Sequence, residues 1–324
     1  MLNRRQFGLA ATIGVASLLA RSEAWAQNWP ARPLTMIYPF AAGSAGDAVG
    51  RILASRLSEL LGQPVIFENV GGAGGMTGAT RVAKAAPDGY QFLLGGTAQT
   101  LKQTPSFNVV DDLAPVALTV EQPIVLITRN RMKANDLAAF IAHAKANQGT
   151  MQYGSAGAGS IVHLACAFLN SAIGVDIIHV PYRGGADAMR DLIAGRIDYQ
   201  CIIAAGALPQ IEGGQVRAIA NLAKTRSSTL PNLRSAHEQG LVDFDINSWY
   251  GFFLPKRTPA AIVQKLHDAT VAAMETPSVR QRLKDAGAEV VAPERQSLFY
   301  FDHFLRQEVE RWAAAIKAAN INID

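Results

Sequence analysis

Cysteine, charge and aromatic side chains are all scarce in this chain. Two cysteines in 324 residues exclude a small disulfide-stapled scaffold, and no Cys/His grouping has zinc-ligand spacing. Charged residues make up 17% and aromatics 7%, against 49% hydrophobic. So little charge on so much apolar material excludes a disordered chain and predicts a large core, spread over about two domains of ~100–200 residues each. The basic excess is slight, 30 Lys and Arg against 26 Asp and Glu. Half of the resulting +4 comes from Arg4, Arg5 and Arg21 set against Glu23. The rest is close to neutral, which leaves no electrostatic footprint for nucleic acid.

Enzymatic signatures are missing as well. There is no G-x-x-x-x-G-K-[ST] and no G-x-G-x-x-G after an expected strand, so neither a P-loop nor dinucleotide binding is expected. G-x-S-x-G fails in both candidate registers, because Ala42 precedes Ser44 and Tyr153 precedes Ser155 where glycine is required. His163 follows Ser160 by three residues, on the first turn of an expected helix, where the pair suits capping better than catalysis. No enzymatic activity, cofactor or metal is expected.

Residues 1–26 read as an export signal. Asn3-Arg4-Arg5-Gln6-Phe7 resembles a twin-arginine start, with an ordinary secretory signal as the alternative. The weakly hydrophobic run Phe7–Ala20 stops at Arg21, short of the roughly 20 apolar residues of a membrane span. Ala24-Trp25-Ala26 fits a cleavage site. A mature chain beginning near Gln27, in the bacterial periplasm and not embedded in the membrane, is the expectation. That compartment permits disulfides. Cys166 falls on an expected helix and Cys201 on an expected strand, but spacing fixes no distance. Two buried thiols are the simpler reading and a disulfide is the alternative.

What the chain does have is alternation. Strands are expected at Leu34–Tyr38, Val65–Asn69, Gln91–Leu94, Val116–Val120, Ile124–Thr128, Met151–Tyr153, Ile177–Val180, Tyr199–Ile203, Val216–Asn221 and Tyr250–Leu254. Helices are expected at Asp47–Leu61, Met76–Ala85, Asn135–Ala146, Ile161–Ala172, Ala186–Ala194, Pro259–Glu275, Pro277–Ala286 and Glu294–Ala318. Continuous apolar strands between amphipathic helices predict an α/β protein with a mainly parallel sheet. One plan occurs twice. Leu34–Tyr38 runs into Ala41-Ala42-Gly43-Ser44-Ala45-Gly46 and then a helix, and Met151–Tyr153 runs into Gly154-Ser155-Ala156-Gly157-Ala158-Gly159-Ser160 and then a helix. Neither loop carries Lys, Arg, Cys or His. Each offers serine hydroxyls, close backbone approach and a helix start that attracts anions. Two such lobes facing one another predict a shared cleft outside the carboxyl ends of the strands.

Taken together, these segments resemble the Bug-type extracytoplasmic solute-binding proteins of tripartite tricarboxylate transporters. Phe40 through Asp47 is similar to the family's opening loop. Leu61-Gly62-Gln63-Pro64-Val65, Ala83-Lys84-Ala85-Ala86-Pro87-Asp88-Gly89-Tyr90, Ser155–Ser160 with His163-Leu164-Ala165, His179-Val180-Pro181-Tyr182-Arg183-Gly184, Gly195-Arg196-Ile197-Asp198 and Trp249-Tyr250-Gly251 follow in order. The resemblance implies a two-lobed periplasmic-binding-protein fold of the Venus flytrap, type II-like kind. Its lobes would be 28–125 plus 249–324, and 126–248, hinged on strands near Ile124–Thr128 and Asn247–Leu254. It implies a monomer that captures a small organic carboxylate for the transporter's membrane subunits. A periplasmic sensor signalling through a membrane histidine kinase is the alternative.

Ligand contacts carried over residue by residue are Phe40, Ala41, Ser44 and Asp47 in the first loop, and Gly159, Ser160 and His163 in the second. Tyr182, Arg183, Asp198 and Thr97 complete the set. Four of these have structural alternatives: Asp47 as a helix cap, Arg183 as a solvated charge, His163 as a loop brace and Asp198 as support for its turn. Two departures stand out. Ala41-Ala42 replace the family's usual proline and glycine, and Gly46 replaces a threonine before the loop aspartate, removing a hydroxyl.

Overall fold

The computed structural model describes residues 29–101 and 107–318; the expected signal segment 1–26 lies outside them. Ten strands are found among the described residues: β1 Leu34–Tyr38, β2 Val65–Asn69, β3 Gln91–Gly96, β4 Leu113–Arg129, β5 Gln152–Ser155, β6 Ile178–Pro181, β7 Tyr199–Ile203, β8 Val216–Asn221, β9 Asn247–Pro255 and β10 Glu289–Val290. They form one curled sheet in the order β2-β1-β3-β9-β4-β7-β5-β6, with β8 and β10 also pairing β4. Helices cover it, in a two-lobed α/β fold.

The sheet is mixed, not mainly parallel. β1 pairs β2 and β3 in parallel, and β5 pairs β6 and β7 in parallel, but β4 and β9 run antiparallel to their neighbours across the middle. The expected strands Val116–Val120 and Ile124–Thr128 are one continuous strand. Glu121-Gln122-Pro123 reads as a break because proline lacks a ladder donor. Here Pro123 stands where β4 leaves β9 (Pro123 opposite Asn247) and takes up β7 (Ile124 opposite Ile203), so the changeover of partners absorbs it. One strand thereby joins the two halves of the sheet.

Each half builds its own core. In one, Val49, Ile52, Leu53 and Leu57 on helix Ala45–Leu61 pack with Met36, Phe92, Phe252 and Leu266. In the other, Leu164, Cys166 and Leu169 on helix Ile161–Ile173 pack with Ile124, Leu126, Phe140 and Tyr199. Both helices end in a left-handed glycine, Gly62 and Gly174, the usual device for releasing a chain from a helix. Helix Leu298–Ala318 serves both halves: Phe301 and Leu305 pack with Trp249 and Phe253 in a second cluster of the first, while Trp312 packs with Phe168 in the other. Between them, the buried Glu308 accepts the indole N–H groups of Trp249 (2.9 Å) and Trp312 (3.0 Å).

Cys166 and Cys201 are joined as a disulfide, which corrects the simpler expectation of two thiols. Helix Ile161–Ile173 lies directly on β7, and both cysteines point into that contact, fully buried. Sequence spacing carried no sign of this, because the pairing depends on which strand the helix covers.

Candidate functional site

The first loop is held from beneath by Tyr38, the last residue of β1. Its hydroxyl accepts the Gly46 N–H at 3.1 Å and lies 3.2 Å from the Ser44 hydroxyl, which donates to the Ala41 carbonyl at 2.7 Å. This accounts for the glycine before Asp47. A Cβ at Gly46 would stand 2.5 Å from the Tyr38 oxygen, so the tyrosine hydroxyl occupies the place where a larger residue would begin. Asp47 faces inward, where it accepts Arg51 Nε at 3.0 Å and Asn69 Nδ2 at 2.9 Å. Burial opposes its ionisation, but the hydrogen bonds from Arg51, Asn69 and the Gly43 N–H outweigh burial and hold the carboxyl below its ordinary value. Asn69 also donates to the Phe40 carbonyl at 3.1 Å, tying the loop's start to its end.

The second loop is built on hydroxyl caps and a stacked histidine pair. Ser160 donates to the Gly157 carbonyl (2.7 Å) and accepts the His163 N–H (3.3 Å), capping helix Ile161–Ile173. His163 Nδ1 accepts the Gly159 N–H at 3.2 Å, so the neutral ring carries its proton on Nε2. Its ring lies on His179, centroids 4.0 Å apart, with Tyr153 stacked 4.9 Å from His179. His179 Nε2 meets Ser155 Oγ at 2.7 Å. Burial lowers the pKa of His163; burial, and then the charge His163 would carry, push His179 down to about 4.

Between the loops lies a cavity of about 250 Å³. Three helix starts enter it, at Ser44–Ala45, Ser160–Ile161–Val162 and Gly185–Ala186, together with Thr97 at the head of the short helix Thr97–Leu101. Among the described residues, the backbone N–H groups of Ala45, Ile161, Val162, Gly185 and Ala186 have no acceptor within the chain, as first-turn donors of a helix do not. Among the described residues, no Lys, Arg, His, Asp or Glu contributes to the lining. Among the described residues there is no grouping of three or more His, Cys, Asp or Glu able to hold a metal. No described helix is long and apolar enough to cross a membrane.

Of the residues expected at the ligand, Phe40, Ser44, Thr97 and Ser160 line this cavity. Thr97 follows β3 rather than ending it, and its hydroxyl accepts the Trp249 N–H at 3.1 Å. Ala41, Asp47, Gly159 and His163 belong to the two loops but lie outside the lining, as do Tyr182, Arg183 and Asp198. Tyr182 donates to Asp191 at 2.8 Å, and Asp198 pairs with Arg129 at 2.9 Å and accepts the Gln152 N–H. Arg183 is exposed. The sequence missed Tyr38, Gly95, Gly96, Ile202, Ile203 and Tyr250, all at or near strand ends that open on the cavity. Gly96 carried a signal in hindsight: a Cβ there would strike the Trp249 carbonyl at 2.1 Å, so only glycine lets β9 approach.

Residues 49–321 match the model of a family described as the tripartite tricarboxylate transporter family receptor. The fold is similar to that of MatC from Rhodopseudomonas palustris, solved with bound malate, at 35% identity and a TM-score of 0.81 over 89% of this chain and 100% of that one. It is similar to the periplasmic binding protein BugD, at 34% identity and a TM-score of 0.82 over 91% and 99% of the two chains. A second R. palustris protein, solved with adipate, gives 29% identity and a TM-score of 0.83 over 90% and 99%.

Proposed function

Because the chain belongs to the tripartite tricarboxylate transporter receptor family, we propose that it captures a small carboxylate between its lobes in the periplasm and delivers it to the membrane subunits of a transporter of that type. The observation that carries this reading is the convergence of N–H groups at Ala45, Ile161–Val162 and Gly185–Ala186 on one cavity to which none of the described residues brings a charged side chain. Each helix start presents roughly half a positive charge, so together they complement an anion without a fixed counter-ion. Malate and adipate, held by two similar proteins, are both carboxylates.

In this reading, the hydroxyls of Ser44, Thr97 and Ser160 join the amides at Ala45 and Ile161 in holding the carboxylate, and Phe40 packs against the ligand's body. Ala41 and Gly159 shape the loops, and His163 braces the second. Asp47, Tyr182 and Asp198 hold the framework, and Arg183 is a surface charge. The lobes are 28–125 with 249–324, and 126–248, hinged on β4 and β9. Ligand shifts the population toward the closed form because only that form brings both loops to it. Residues 1–26 act as the export signal.

Native mass spectrometry of the protein released gently from its own periplasm tests the reading. A reproducible added mass, lost on denaturation and identified as a carboxylic acid, supports it. A neutral or cationic adduct refutes it, and so does an empty protein whose melting temperature no carboxylate raises at millimolar concentration.

A further inference from the structure

Two contacts join the halves of the molecule beside the hinge, outside the cavity. β10 pairs β4 at Val120 and Glu121, just before Pro123, where β4 passes from β9 to β7. One carboxylate oxygen of Glu289, the first residue of β10, accepts the Ser227 hydroxyl at 2.6 Å, the Ser228 N–H at 2.7 Å and the Ser228 hydroxyl at 3.0 Å. The serines follow β8, within the lobe 126–248, whereas β10 belongs to the lobe that includes 249–324. The serine turn is shaped from within, since Ser227 Oγ also accepts the Thr229 N–H at 3.1 Å, a common turn device. Two residues before Glu289, Gly287 rests on the turn Ala204–Gly206 that follows β7. A Cβ at Gly287 would stand 2.8 Å from the Ala205 Cβ. Ile203 and Gly206, on either side of that contact, line the cavity, but Glu289, Ser227, Ser228 and Gly287 do not.

A charged acceptor serving three donors makes a strong contact. Because it lies outside the cavity, it can reach the ligand only through the arrangement of the lobes. Here it is formed while Ser44 and Ser160 face one cavity. Whatever favours that arrangement in the empty protein raises the fraction of molecules ready to bind, and the apparent affinity with it. Resting on the two-lobed capture reading above, we infer that Glu289 is a positioning residue: its grip on Ser227 and Ser228 holds the lobes where both loops meet the ligand, and so tunes affinity from outside the site. Losing the grip lets the lobes part and weakens binding, although no group that touches the ligand has changed.

Small-angle X-ray scattering of the ligand-free protein, with isothermal titration by adipate and by malate, tests this on three variants. Glu289→Ala removes the acceptor. Ser227→Ala with Ser228→Ala removes two donors from the other lobe, and serves alone if Glu289→Ala does not fold. The third variant combines all three changes. Glu289→Ala should show a larger radius of gyration than wild type. It should also bind whichever acid wild type binds at least fivefold more weakly. The serine pair should move both readouts the same way, and the combination should go no further than Glu289→Ala, because both sides belong to one contact. A purely local contact would lower the melting temperature and leave radius and affinity alone; that result in folded variants overturns the proposal. Tighter binding by Glu289→Ala overturns it too, since the grip would then favour the open form. Wild type binding neither acid counts against the carboxylate reading, and the scattering, which needs no ligand, still decides the role of Glu289.

Discussion

The histidine pair under the second loop makes stability depend on pH in a way that one substitution can isolate. His179 is half-buried, stacked on His163 and bonded to Ser155 Oγ. Its pKa falls from 6.5 to about 4 because burial, and then His163, disfavour the charged ring. The unfolded chain therefore takes up the proton first as pH drops. The stabilisation is fully present above pH ~6.5 and is lost as pH falls toward the folded value. Between pH 7 and 5 the full shift would cost about 1.8 kcal/mol by linkage. Solvent reaches about half of the ring, so we expect roughly 1 kcal/mol. Asp47 titrates below its ordinary value and stays ionised across this window. His179→Gln keeps a polar partner for Ser155 and removes the titration. Urea midpoints at the two pH values, with unchanged m, should show wild type losing about 1 kcal/mol more than the variant. Equal losses in the two proteins would refute the reasoning.

Three further outcomes follow from contacts already described. Replacing Cys166 and Cys201 together by alanine should lower stability by roughly 3–4 kcal/mol, the loop-closure entropy for a 35-residue separation; a urea midpoint within a few tenths of a molar of wild type would contradict this. Gly46→Thr should drive Tyr38 off the first loop and cost about 1–3 kcal/mol through overpacking, seen as a lower melting temperature together with weaker binding of the carboxylate that native mass spectrometry identifies. Ser160→Ala removes a helix cap worth about 1 kcal/mol and, on the proposed function, a hydroxyl that holds the carboxylate, so affinity should fall further than stability does; a variant that loses stability alone would exclude Ser160 from the ligand.

Much of the plan was legible in the sequence because it is local. Apolar runs marked nine of the ten strands to within a few residues, and the two glycine- and serine-rich loops marked where helices begin. What stayed hidden depends on sheet order. Pro123 reads as a break until β4 is seen changing partners there. Ile202 and Ile203 read as ordinary core until β7 is found ending at the cavity. The charged candidates needed the fold for the same reason. Asp47 and Asp198 look available for ligand in the sequence, but Arg51 with Asn69 engages one and Arg129 the other. The Gly46 departure was visible, yet its cause, the Tyr38 hydroxyl, became readable only with the loop folded over the strand end.

Helix Leu298–Ala318 has a consequence for how the protein is made. The core around Phe140 and Tyr199 is drawn from the middle of the chain, but it is closed by Trp312, and the core around Phe253 is closed by Phe301 and Leu305. Neither of these two clusters is complete while the ribosome is still short of this helix. A chain ending before Leu298 would leave the clusters around Phe168 and Phe253 open to water, and Glu308 would no longer bridge the two indoles. Full burial of the middle segment's interior thus depends on a side chain more than sixty positions beyond that segment's own end.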